Sequence, residues 1–112
     1  VSEIIQPPLL VISANQLYGS WASILKSKNG VETEYIDTHT FTFNTDRTFR
    51  SFCKPTNYKT GSWQIHNSNI IRLYMKATDG YRVLSMTDTS FTAHLLFAKP
   101  DTVIIHYRKI NH

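Results

Sequence analysis

Five histidines, His39, His66, His94, His106 and His112, and one cysteine, Cys53, are the residues of this sequence best suited to nucleophilic, acid–base or metal chemistry. Their spacing builds none of it. No two histidines stand at His-x-x-x-His spacing and no carboxylate keeps a fixed offset from them, so no metal site is expected. One cysteine forms neither an internal disulfide nor a cysteine-based zinc site. A Gly-x-Ser-x-Gly elbow and a phosphate-cradling glycine loop are both missing. Asp37, Asp46, Asp79, Asp88 and Asp101 fall mostly at turns, where aspartate is expected for its local hydrogen bonds. The sequence therefore predicts no catalytic residues and no cofactor, and points to a protein that binds rather than an enzyme.

The net charge of +4, from 12 Lys and Arg against 8 Asp and Glu, is scattered along the chain and not gathered into a run. That reads as a solvated surface and not as a nucleic-acid interface, since the aromatic residues that could stack bases also sit where a core needs them. With 112 residues, 41% of them apolar and 18% charged, the chain is one domain with enough apolar surface for one core. No apolar run approaches the ~18 residues of a membrane-crossing helix. The chain begins at Val1 and reads as a processed or trimmed one.

Residues 1–16 differ from the rest and are expected to form an N-terminal arm. Pro7 and Pro8 stiffen it, Leu9 to Ile12 make a short apolar run, and Ser13 is placed to N-cap one helical turn through Leu17. From residue 17 to residue 112 the apolar period is two, and eight strands are expected. These are Ser20–Lys26, Ile36–Phe43, Thr48–Cys53, Gly61–Ile65, Ile70–Lys76, Tyr81–Met86, Phe91–Ala98 and Val103–Ile110. Asn44-Thr45-Asp46-Arg47 is turn chemistry, and Asp79-Gly80 is a hairpin signal. Leu84, Met86, Leu95, Leu96 and Phe97 fit either face of the sixth and seventh strands.

Short strands joined by tight turns, with no helix for a crossover, predict an all-β antiparallel meander. Left open it would expose two long edges, so an eight-stranded up-and-down barrel is expected. Its interior should take Trp21, Phe41, Phe43, Phe49, Trp63 and Ile65, followed by Ile71, Leu73, Met75, Phe91, Leu95, Val103 and Ile105. That much bulk nearly fills a barrel of this size, which leaves a small pocket near one end.

Four motifs occur in a fixed order: Leu17-x-Gly19-x-Trp21, Phe41-x-Phe43 before Asp46-Arg47-Thr48-Phe49, Gly61-x-Trp63-x-Ile65, and the close Tyr107-Arg108-Lys109-Ile110. Together they resemble the small bacterial lipocalin-like domains, calycin-type barrels many of which are exported or lipid-anchored. The resemblance spans residues 17 to 110. It implies that Trp21, with Trp63, plugs the closed end and that Arg108 lies over Trp21 as a basic lid, with Lys109 taking that place if the last strand has the other register. The family's turn reads Asp-Gly where this chain has Asp46-Arg47, which implies another turn type. It further implies a periplasmic, outer-membrane-anchored or secreted bacterial protein, with a membrane tether upstream of Val1.

Two kinds of work follow. The first is binding of a small hydrophobic or amphipathic ligand at the barrel opening, for which Tyr35, Phe52, Tyr74 and Tyr81 are the candidate lining residues. The second is a protein–protein module. Bacterial inhibitors of secreted zinc metalloproteases are similar small barrels with a Leu-x-Gly-x-Trp entry, and by that resemblance Val1, Ser2, Glu3, Ile4 and Ile5 would enter the protease cleft.

Overall fold

The computed structural model describes residues 10–75 and 78–110. The segment proposed for a protease cleft, Val1 to Ile5, lies outside them. The described chain forms one short helix, α1 (Ala14–Leu17), and nine strands. The first five are β1 (Gly19–Lys28), β2 (Val31–Glu34), β3 (His39–Phe43), β4 (Thr48–Cys53) and β5 (Asn57–His66). They are followed by β6 (Ile70–Tyr74), β7 (Thr78–Met86), β8 (Ser90–Leu95) and β9 (Val103–Ile110). Every pairing is antiparallel, neighbours in sequence are mostly neighbours in space, and β1 pairs with β9 to close an eight-stranded barrel.

Nine segments make eight barrel positions because the second position is split. After the turn at Asn29 and Gly30, β2 runs back along Leu25–Lys28, the chain leaves the sheet over residues 35–38, and β3 resumes beside Gly19–Ala22. Ser23 bridges the gap: its hydroxyl donates to the Tyr35 carbonyl and accepts from the His39 N–H at 2.9 Å, while its own carbonyl takes the Asp37 N–H at 2.8 Å. Among the described residues β2 has no second partner, and its four residues, Val31, Glu32, Thr33 and Glu34, are all exposed.

Two bulges decide which side chains point inward. In β1 the register against β9 shifts between Ser23 and Leu25. A bulge adds one residue to one strand, so it reverses the phase of everything after it. Trp21 and Ser23 face in before the bulge. After it Lys26, paired with inward-facing Ile105, takes the place that simple alternation would give Leu25. A second shift, between Val83 and Ser85 in β7, turns Met86 toward the core and leaves Leu84 46% exposed.

The closed end is built on the tryptophans. Trp21 is fully buried, its indole N–H donates to the Leu17 carbonyl at 2.9 Å, and its ring meets the edge of Phe91. Trp63 is equally buried and packs edge-on with Phe43 and Tyr18. Ile12 and Leu17 join this layer, and Ser13 opens α1 with its N–H on the Gln16 side-chain carbonyl at 2.8 Å.

The lid over Trp21 is Lys109 and not Arg108. Trp21 stands directly opposite Lys109 across the β1–β9 seam, so the two share a face, and the ammonium lies 5.5 Å from the indole centroid. Arg108 points to the outside, where it pairs with Asp37 at 3.1 Å. Arg47 also departs from expectation. At φ +70° it takes the left-handed conformation that a glycine adopts with ease, and its guanidinium lies 4.8 Å from the centre of the Trp63 ring.

Two further expectations fail for local reasons. Asp79 and Gly80 are not a hairpin turn: they lie inside β7, paired with Leu73 and Arg72. Gly61 does not open a strand, as its repeat of the Gly19 motif suggested, because β5 already begins at Asn57. Gly19 needs its φ of +116°, whereas Gly61 needs space, since a Cβ there would run into the Tyr74 carbonyl oxygen and press on the Phe49 ring.

Gly61→Ala is therefore expected to cost about 3 kcal/mol of stability by overpacking, measured by urea unfolding. Lys109→Gln should cost about 0.5–1 kcal/mol through loss of its contact with the indole. Arg108→Gln, which breaks only a half-exposed ion pair, should cost less than about 0.5 kcal/mol in the same assay.

Candidate ligand-binding site

At the end of the barrel opposite the tryptophans the interior is not filled. A cavity of about 150 Å³ opens there. Leu73, Leu95 and Ile105 give it apolar walls, with Phe97 at the rim. Between them stand His39, Ser51, Cys53, Tyr35 and Tyr81, and Lys26, Asn57, Lys59 and Asp79 bring charge and polarity to the mouth.

Strand alternation explains most of this set. His39 is in phase with Phe41 and Phe43 on β3, Ser51 and Cys53 with Phe49 on β4, and Tyr81 with Val83 on β7. Tyr35 comes from the break between β2 and β3, and Lys26 is delivered by the β1 bulge. The Lys26 ammonium then lies 5.1 Å from the centre of the Tyr35 ring.

Of the aromatic residues proposed from the sequence, Tyr35 and Tyr81 line the cavity. Phe52 and Tyr74 do not. Each follows an inward residue, Ser51 and Leu73 respectively, so each falls on the outer face, where Phe52 packs on Tyr58 with ring centres 4.5 Å apart. His39 is buried and hydrogen-bonded: its Nδ1 meets the Tyr107 hydroxyl at 2.8 Å. Its phase with Phe41 and Phe43 was the sequence signal for an inward side chain.

Burial sets the protonation of the site. It lowers the His39 imidazole to about 4, helped by the nearby Lys59 ammonium, so the ring is neutral at physiological pH. Burial and a contact with Cys53 raise the Tyr35 hydroxyl to about 12. Tyr107 and Tyr81 are pushed up from the usual phenol range, again chiefly by burial. Lys59 and Asp79 form an ion pair at 3.8 Å across the mouth. Among the described residues no three of His, Cys, Asp and Glu gather as a metal site would require.

The arrangement offers hydrogen bonds against apolar walls, which suits recognition. His39 has a phenol behind Nδ1 and not the carboxylate that would orient a general base, and Cys53 has the Tyr35 hydroxyl beside it at 3.7 Å.

No protein-family model matches the sequence, and no curated protein matches it. Solved structures do match in shape. An uncharacterized protein from Bacteroides eggerthii aligns with a TM-score of 0.62 at 12% identity, over 84% of this chain and 99% of that one. Bovine odorant binding protein in complex with undecanal aligns with a TM-score of 0.55 at 12% identity, over 95% of this chain and 79% of that one. The same bovine protein with a selenium-containing odorant gives 0.53, at 12% identity and coverages of 96% and 79%. At such identities the likeness is one of fold, and the fold is a closed eight-stranded, lipocalin-like antiparallel barrel.

The depressed imidazole gives a signed pH dependence. Between about pH 6.5 and pH 4 the unfolded chain takes up a proton at residue 39 that the folded chain refuses, so stability falls as the pH falls through that window and is unaffected above it. The loss is on the order of 3 kcal/mol. In urea unfolding at about pH 7 and pH 4, the native protein should lose roughly that much more stability than His39→Asn, and equal losses would refute the assignment.

Proposed function

We propose that this lipocalin-like barrel is a non-catalytic binding module that takes a small amphipathic molecule into the cup at its open end. The observation that carries the reading is the cavity itself: about 150 Å³ of unfilled space with apolar walls and polar groups, in an interior otherwise packed with aromatic rings. Closely packed cores leave few voids larger than a water molecule, so a void of this size at one mouth supports the reading. The fold also supports the reading, because the bovine protein of the same architecture is an odorant-binding protein.

Size narrows the occupant. An apolar cavity of about 150 Å³ accommodates a benzene ring. The cup of this chain therefore suits a molecule of about ten non-hydrogen atoms or fewer, and a long alkyl chain would have to extend out of the mouth.

Cys53, the one cysteine of the chain, lines the cup and reports its occupancy. Small aromatic molecules such as benzyl alcohol at saturating concentration should slow alkylation of Cys53 by iodoacetamide at least about fivefold, since an occupied cup is about 80% closed to the reagent at that ratio. Leu95→Trp, which fills the cup, should abolish the protection. If no molecule of this size protects Cys53, or if Leu95→Trp leaves protection unchanged, the cup is not the binding site.

A further inference from the structure

Three polar side chains facing the cup each keep a hydrogen-bonding group that no side chain or main chain of the described residues engages. Tyr81 and Ser51 are each 5% exposed and His39 is 9% exposed, so all three are at least nine-tenths buried. Among the described residues the Tyr81 hydroxyl and the Ser51 hydroxyl make no hydrogen bond, and His39 uses only Nδ1. No fully enclosed side-chain nitrogen or oxygen lacks a partner among those residues, so these three atoms reach the open space of the cavity they line. With the cup empty, water meets these groups, and an occupant that displaces that water without replacing its hydrogen bonds loses affinity. Three together, facing one cavity, are arranged for something that enters it.

All three can donate at once. The Tyr107 side chain is fully buried, and among the described residues its hydroxyl has one partner, His39 Nδ1 at 2.8 Å. If Nδ1 carried the proton, the Tyr107 hydroxyl hydrogen would have no acceptor. Tyr107 therefore donates to Nδ1, which puts the single proton of the neutral ring on Nε2, toward the cup. The Ser51 and Tyr81 hydroxyls are free to turn their hydrogens the same way.

The charge at the mouth is also unbalanced. Of the charged residues lining the cup, Lys26 and Lys59 are cationic and Asp79 is anionic, and Asp79 is engaged with Lys59. One positive charge is left over, brought inward by the β1 bulge that turns Lys26 toward the lumen.

We propose that the occupant is a small monocarboxylate, with an apolar body no larger than one six-membered ring on Leu73, Leu95 and Ile105. Its carboxylate accepts from Tyr81, Ser51 and His39 Nε2. A carboxylate offers only acceptors, about four lone-pair sites on two oxygens, and so satisfies three donors without bringing a hydrogen of its own that needs a partner. A primary amide of the same shape brings two N–H groups to a site already full of donors. The anion also neutralises the excess positive charge. The inference rests on the cup being a binding site and adds the chemical class that the cup selects.

The test compares benzoate, benzamide and toluene at neutral pH, followed by titration calorimetry and by protection of Cys53 from iodoacetamide. Benzoate is expected to bind at least about tenfold more tightly than benzamide, as charge-assisted hydrogen bonds allow. Tyr81→Phe and Ser51→Ala should each weaken benzoate about fivefold or more while toluene changes less than about twofold, which separates a lost hydrogen bond from a damaged fold. Benzamide or toluene binding as tightly as benzoate, with Cys53 protected, would overturn the carboxylate assignment and leave the cup a binding site. Benzoate binding unaffected by Tyr81→Phe and Ser51→Ala would place the anion on the surface lysines and overturn it too. No protection of Cys53 by any of the three would remove both the class and the cup.

Discussion

The pairing of the first strand with the last, from Ser20 against Ile110 to Lys28 against Val103, is the constraint on which the rest of this molecule depends. It converts a meander into a closed surface, and its register settles which side chains share the interior. Trp21 faces Lys109 and not Arg108 because of it, and Ser23 faces Tyr107. The one bulge in this seam then changes the character of the lumen along its length. Below it the inward residues are aromatic and closely packed. Above it a lysine enters where alternation would have put a leucine, and the interior becomes a polar cup.

The two ends thus divide the work of a small domain. The tryptophan end carries the stability: each indole N–H has a carbonyl partner, Leu17 for Trp21 and Asn44 for Trp63, so the largest apolar surfaces of the chain are buried without an unsatisfied polar group. The open end tolerates what a core would reject, namely a neutral buried imidazole and hydroxyls with no protein partner. Tyr107 joins the two regions. Its ring stacks on Phe91 in the packed layer, and its hydroxyl fixes the tautomer of His39 at the cup.

Much of the architecture is legible in the sequence, because strand alternation and turn chemistry are local. The span Thr48–Cys53 and the span Val103–Ile110 are found where period-two patterning puts them, and every residue expected inside is buried or packed against the core. What patterning cannot supply is phase. Phe52 and Tyr74 are aromatic and lie beside inward residues, and nothing in their type says that they stand on the outer face. A bulge is likewise silent in a single sequence, so Lys26 could not be placed in the cup and Met86 could not be turned inward with certainty. β2 went unread because its residues bury nothing. Asp79-Gly80 is a favourable turn dipeptide, yet inside β7 the glycine serves to let Leu96 approach.

The split second strand has a consequence for company. Beyond Glu34 the sheet is interrupted, and β2 offers an outer row of main-chain groups that no second strand among the described residues covers. Such a row is an invitation to a passing chain. Here it is short, and it carries Glu32 and Glu34 alternating with Val31 and Thr33, so two copies meeting rim to rim would bring like charges together in a region already open to water. This short acidic edge disfavours strand pairing between copies along β2, beside the rim of the cup.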